Sequence, residues 1–235
     1  MPNHIINVIK IEGPKGEIKK ILDFLKPDEN EIPFDFNKII PMPKSLDISC
    51  SVQTERATEL YAKFYNIISK CCTGDELHKK EEDYKQNLDE DEKKLFDLGK
   101  IAVNNVLKYN HATWYSWCIE NWGTKWNSYE SHFTQDEECL YFTFNTAWNT
   151  PIPIYKKFSE LFPRVSITVE YADEDYGYNC GKLTYKGGVE TSSWTPKPKP
   201  DGVNFACKLW GVDPDEFLEE FEEDDGEGGL VEIVN

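Results

Sequence analysis

Arginine is scarce in this chain: of 26 basic residues among 235, only Arg56 and Arg164 carry a guanidinium. Planar guanidinium forks grip phosphates bidentately, and with so few of them and no basic helix or stripe, sequence-specific nucleic-acid binding is not expected. No run of 18 apolar residues occurs, and the opening MPNHIINVIKIEG lacks the basic, apolar and small-residue regions of a secretory signal. The expectation is a soluble, cytoplasmic protein without a membrane partner. Cysteines number seven, an odd count with no CxxC pair, which argues against both a disulfide framework and a zinc ribbon. The histidines at 4, 78, 111 and 132 are scattered and offer no HExxH or Cys/His ligand spacing, so neither a metal nor a cofactor is expected.

Acid, by contrast, is in excess. The net charge is −17, from 43 acidic against 26 basic residues. Residues 211–235 hold eleven of those acids and no Lys or Arg, which leaves only −6 for the preceding 210 residues. Asp215, Glu216, Glu219, Glu220, Glu222, Glu223, Asp224 and Asp225 form the dense part of this segment and are its candidate interaction residues. Such a concentration of one sign steers encounter with a basic partner. At 39% apolar and 14% aromatic the chain can bury a core, which excludes wholesale disorder.

Tryptophan is also concentrated. Four of seven, at 114, 117, 122 and 126, fall within TWYSWCIENWGTKWN at 113–127. Thr113 is placed to cap a short helix and Gly123 to end it in a left-handed turn, so Trp114, Trp117, Cys118 and Asn121 share one face. Lys125 lies between Trp122 and Trp126, where an ammonium can sit over an indole or reach an anionic ligand. Asn127, with Trp148 and Asn149 further along, completes a candidate stacking site. The competing reading is a Trp-rich core whose indole N–H groups are satisfied by Glu120, Asn121, Thr124 and Asn127. Cys118 with His111 or His132 is a weaker candidate thiolate pair, a buried inert thiol being the default. No catalytic residue is identified.

Periodicity supplies the elements. Asn3 to Ile11 reads as a strand inside a sheet, Glu17 to Leu25 as a helix, and 34–40 as a second extended segment closed by Pro41-Met42-Pro43. Thr54 to Cys72 reads as a helix with Ala57, Leu60, Tyr61 and Phe64 inward, and 73–88 as a solvated loop or mobile helix extension. Asp89 caps a helix with Leu95, Leu98, Ala102, Val106 and Tyr109 as its stripe. From Cys139 the order is strand, helix (151–162), strand (165–171), strand (178–185), helix (201–210) and a weak strand at 230–234. That order is the split βαβ arrangement. The expected fold is α+β: a ferredoxin-like C-terminal sheet at 128–235 with an acidic tail, an N-terminal strand-helix-strand unit at 1–43, and a helical insertion at 44–127 that ends in the Trp segment. Asp173, Glu174 and Asp175 are hairpin-turn acids, and GYNCGK at 177–182 is a turn rather than a phosphate loop.

The segments MPNHIIN at 1–7, FNKIIPMP at 36–43, WYSWCIENWGTKWN at 114–127 and FNTAWNTPIPIYKKFSELFP at 144–163 resemble the YubB-type proteins of phages and conjugative plasmids, which carry a C-terminal ferredoxin-like domain. The resemblance implies a mobile-element protein of α+β fold and supplies no catalytic residues. The function expected is a non-enzymatic, acidic protein-interaction module directed at a host or self protein, such as a defence or nucleic-acid-handling one. The alternative is a protein that binds or sequesters a small planar anionic, nucleotide-like ligand on the tryptophans.

Overall fold

The alternation in Ile5, Asn7, Ile9 and Ile11, all fully buried, belongs to a strand flanked on both sides. A computed structural model of the protein describes residues 2–26, 33–68, 74–136, 138–197 and 200–215. The chain divides into two compact units, Met1–Ile40 with Asn121–Asn235, and Pro41–Glu120.

The first unit is built on strand β1 (His4–Glu12), helix α1 (Lys15–Leu25) and a four-residue helix α2 (Phe36–Ile39). After the helical unit it resumes with β2 (Tyr129–Gln135), β3 (Cys139–Ala147), α7 (Ile152–Leu161), β4 (Ser166–Asp173), β5 (Gly181–Lys186), β6 (Val189–Trp194) and α8 (Asp201–Trp210). The six strands form one sheet in the order β2-β3-β1-β4-β5-β6, with every neighbouring pair antiparallel. β3, α7 and β4 form a split βαβ unit with β1 seated in the gap, so the fold is ferredoxin-like and α+β. The N-terminal strand is therefore the middle of the sheet rather than part of a separate unit.

Register assigns the faces. Ile9 lies between Phe142 and Val169, and Ile11 between Leu140 and Ile167, so the odd positions of β1 share a layer with Phe144 and the buried residues of α7. Phe34 fills that layer, stacked at 5.2 Å on Phe144 and tilted at 5.5 Å against Phe158. Burying each such ring stabilises by about 2 kcal/mol. On the opposite face Ile6, Ala172, Cys180 and Ala206 cluster under α8. Gly187 and Gly188, at φ 58° and 80°, make the two-residue β5–β6 turn, the left-handed pair that hairpin twist requires.

Asn7 puts an amide into the apolar layer, and its bonds are all satisfied locally. Its Nδ2 donates to the Ile5 carbonyl and Thr146 Oγ1, each at 2.9 Å. Its Oδ1 accepts from Thr150 Oγ1 at 2.7 Å and from the Tyr155 hydroxyl at 2.8 Å. The network joins the centre of β1 to the end of β3 and the start of α7, and burial pushes the Tyr155 hydroxyl pKa up. Thr146 and Thr150, on either side of Trp148, thus fasten the end of β3 to the centre of the sheet.

The second unit holds a 3-10 turn at Lys44–Leu46, then α3 (Val52–Ile68), α4 (Gly74–Lys85), α5 (Glu90–Tyr109) and the start of α6 (Trp114–Trp122). Tyr61, Phe64, Phe96 and Val103 are its core. Asp89 caps α5 with a full capping box to Glu92, as its sequence indicates. The inward stripe of α5 is Phe96, Gly99, Ala102 and Val103, rotated from the expected Leu95, Leu98 and Val106, because Gly99 brings α5 against the α3 backbone.

Other expectations change as well. Residues 36–39 are helical, not extended, since the Asp35 side chain accepts from the Asn37 amide and starts a turn. The charged stretch from 74 is helix α4, ordered around buried Glu81 rather than around an apolar stripe. β2 and β6 are edge strands with mostly exposed polar residues, which leave no apolar alternation to read. The strand expected at 230–234 lies outside the described residues. No helix among the described residues is long and apolar enough to cross a membrane.

Candidate functional site

The nine residues expected to form one stacking site divide between the units. Trp114 and Trp117 belong to the helical unit, while Asn121, Trp122, Lys125, Trp126, Asn127, Trp148 and Asn149 belong to the sheet unit. Trp117 is buried, and Trp114 is half-buried with its ring edge-on to Tyr115 at 5.7 Å. Asn121 is half-buried, and the exposed Asn149 contributes only its carbonyl, which accepts from Thr146 Oγ1 at 2.9 Å.

Trp122 is core. It is 3% exposed, packs edge-on to Phe36 at 5.8 Å, and its Nε1 donates to the Ile40 carbonyl at 2.9 Å. Asn127 is a structural staple: its Oδ1 accepts from the Phe36 and Ser128 amides, each at 2.9 Å, and its Nδ2 donates to Asp35 Oδ1 at 2.6 Å. Both residues thus serve the framework: the Trp122 indole N–H, the Asn127 amide oxygen and one bond from the Asn127 amide nitrogen are taken up within the fold.

What remains is a ledge of three side chains, with Lys125 and Trp126 half-buried and Trp148 exposed. The Lys125 ammonium lies 4.5 Å from the centre of the Trp126 ring and 4.9 Å from that of Trp148, so one cation is shared by two indoles. Tyr129 borders Trp126 at 6.4 Å and hydrogen-bonds His4 Nδ1 at 2.5 Å. Burial, then the nearby Glu130 and Glu174 charges, push the Tyr129 hydroxyl pKa up to about 12, so it stays protonated at neutral pH.

Trp148 carries a backbone feature invisible to periodicity. Its φ is +73°, a conformation that a bulky aromatic residue adopts only under constraint. The constraint comes from both sides of the residue. Its amide donates to the Asn3 carbonyl at 2.9 Å, and its carbonyl accepts from Asn179 Nδ2 at 3.0 Å. Asp173, buried at the end of β4, ties the two clamps together by accepting from Asn3 Nδ2 at 3.1 Å and Asn179 Nδ2 at 3.2 Å. Trp210 Nε1 donates to the Asp173 carbonyl at 3.1 Å, fixing α8 to the same corner. The carboxylate read from sequence as a hairpin-turn acid is therefore a structural hub, and the Trp148 indole is held 37% exposed by the convergence of β1, β4 and the loop before β5.

Two clefts of about 480 Å³ occur elsewhere. One, in the sheet unit, is lined by Ile152, Lys156, Tyr185, Gly188, Val189 and Glu190. The other, in the helical unit, is lined by Cys50 and Ser51, by α3 from Thr54 to Ala62, and by residues of 112–116. None of the nine residues lines either cleft. Cys118 is buried, and burial pushes its thiol up to about 12, so it is not a thiolate at neutral pH. Of the acidic residues expected to make an interaction surface, Asp215 is exposed with its amide bonded to Asp213 Oδ1 at 3.0 Å; Glu216 to Asp225 lie outside the described residues.

A six-stranded antiparallel sheet carrying a split βαβ unit and helices defines the chain as an α+β protein with a ferredoxin-like domain. Residues 121–213 match the family model described as the ferredoxin-like domain in Api92-like protein. Among solved structures, the crystal structure of the protein api92 from Yersinia pseudotuberculosis is similar at 11% identity and a TM-score of 0.45, covering 85% of this chain and 100% of that one. No curated protein matches the chain.

Proposed function

We propose that this is a cytoplasmic protein-interaction module of the YubB type found on phages and conjugative plasmids, and that it engages a basic host or self protein, such as a nucleic-acid-handling one. The observation that carries this reading is Trp148, clamped at φ +73° with its indole exposed beside Lys125. Strain retained at a surface aromatic is a cost the fold bears without gaining core packing from it, and tryptophan is a frequent interface anchor. The eleven acids in 211–235 supply the steering charge. A small-molecule pocket is the weaker reading, because Trp122 and Asn127 are taken up by the framework.

A fluorescently labelled Arg/Lys-rich peptide, titrated at low and moderate salt, tests this. Deleting residues 212–235 is expected to weaken binding and flatten its salt dependence. Trp148→Ala is expected to weaken it about tenfold, the size of a modest interface anchor, with little change in thermal midpoint. Peptide affinities equal to wild type in both variants would refute the proposal. Retention of a nucleotide lost in Lys125→Ala, with no peptide binding, would establish the small-ligand reading instead.

A further inference from the structure

The helical unit contains a second arrangement that no part of the interaction reading uses. His111, 8% exposed, places its Nδ1 2.9 Å from Ser116 Oγ and its Nε2 2.8 Å from Glu120 Oε2. An ionised carboxylate only accepts hydrogen bonds, so in the neutral imidazole the proton sits on Nε2 facing Glu120. Nδ1 is then left with a lone pair, and the Ser116 hydroxyl must donate to it. That is the protonation pattern of a serine poised on its general base, with a carboxylate fixing the tautomer and the two ring nitrogens exchanged relative to the commoner arrangement. Ser116 is exposed, lines the 480 Å³ cleft of this unit, and stands in the first turn of α6, where the positive end of the helix dipole favours a developing oxyanion.

We propose that Ser116 is a nucleophile, with His111 as its base and Glu120 as a positioning residue, reactive toward small acyl esters seated in this cleft. Thr54, Thr58, Ala62 and Tyr115 offer an apolar and hydroxyl lining, while Glu55 and Glu59 place negative charge on one wall, so the acyl group is uncharged or cationic. In the first step Ser116 Oγ bonds to the carbonyl carbon and its proton moves to His111 Nδ1. The carbon–oxygen bond to the alcohol then breaks, and the alcohol leaves with that proton. Water, giving a proton to His111, attacks the acyl-serine; the acid departs and the proton returns to Ser116 Oγ. The Glu120 side chain is 68% exposed, so solvent weakens its support of the imidazolium and the activation is modest.

The test treats the full chain with an alkyl fluorophosphonate, in which Oγ–P bond formation expels fluoride, and reads intact mass and the modified peptide. One adduct per chain at Ser116 is expected. Ser116→Ala should abolish it. Glu120→Gln should slow labelling at least tenfold, as loss of a tautomer-fixing carboxylate does in serine triads, and Glu120→Asp should restore most of the rate. Both Glu120 changes are at a surface position and should leave the thermal midpoint near wild type. No adduct, an adduct shared equally with other hydroxyls, or wild-type rates in Glu120→Gln would each overturn the assignment.

Discussion

Gly99→Ala should cost the helical unit about 3 kcal/mol or more, although alanine is the better helix former by about 1 kcal/mol. A Cβ on residue 99 would lie 2.0 Å from the Ala57 carbonyl oxygen, 2.6 Å from its carbon and 2.9 Å from Tyr61 Cβ. Two of these three atoms are backbone, so α3 and α5 must separate. That separation loosens the packing of Tyr61, Phe64 and Phe96, whose rings lie 5.0 to 5.1 Å apart across the two helices. For a chain of this size the loss corresponds to a fall of roughly 6–12 °C in midpoint, readable by circular dichroism. A variant as stable as wild type would show that the helices do not approach so closely.

Replacing Glu81 has the next largest expected effect. This carboxylate is 3% exposed and receives hydrogen bonds from the Tyr61 hydroxyl on α3 and the Lys100 ammonium on α5, with His78 Nδ1 3.6 Å away on its own helix. It therefore ties the charged helix α4 to its two neighbours. Glu81→Ala leaves a buried phenol without its acceptor and should cost about 2–3 kcal/mol, the lysine remaining partly solvated. Burial alone would raise the pKa of Glu81, but the bonds from Lys100 and Tyr61 outweigh it and hold the pKa below the usual glutamate range. A folded-state pKa below the unfolded one means the stabilisation is complete above the ordinary glutamate range and is lost as pH falls through the lowered value. Glu81→Gln should accordingly be less stable than wild type at neutral pH and lose less stability on acidification. Parallel acid-unfolding curves for the two proteins would contradict this role.

The parts of this structure that could be read from sequence are those governed by local periodicity. Ile18, Ile21 and Leu25 mark α1 by helical spacing, Leu140, Phe142 and Phe144 mark β3 by alternation, and Ile154 and Phe158 mark α7; each is buried as the pattern requires. The apolar character of both faces of β1 signalled an interior strand. That β1 lies between β3 and β4 depends on pairing across more than 120 residues, which no local pattern encodes. Edge strands β2 and β6 are mostly polar, their few apolar residues not alternating, and α4 carries a buried acid in place of an apolar stripe, so neither kind of element bears a periodic mark.

The candidate site is marked by composition but not by arrangement. Lys125, Trp126 and Trp148 do come together, whereas Trp122 and Asn127 are framework, and the local spacing treats all five alike. The left-handed backbone at Trp148 arises from Asn3 and Asn179, each distant in sequence. The Ser116 and Glu120 pair was within reach, since a spacing of four places them on one helical face below His111.

If Trp148 is the anchor proposed above, its indole is accessible to solvent and to a partner while Trp117 and Trp122 are enclosed. Oxidative footprinting of the tryptophans by mass spectrometry, with and without the basic peptide, measures this directly. Trp148 should be modified early and be protected by the peptide, whereas Trp117 and Trp122, 6% and 3% exposed, should resist until the protein unfolds. Oxidation of Trp122 at the rate of Trp148, or a Trp148 that the bound peptide leaves unprotected, would contradict the account.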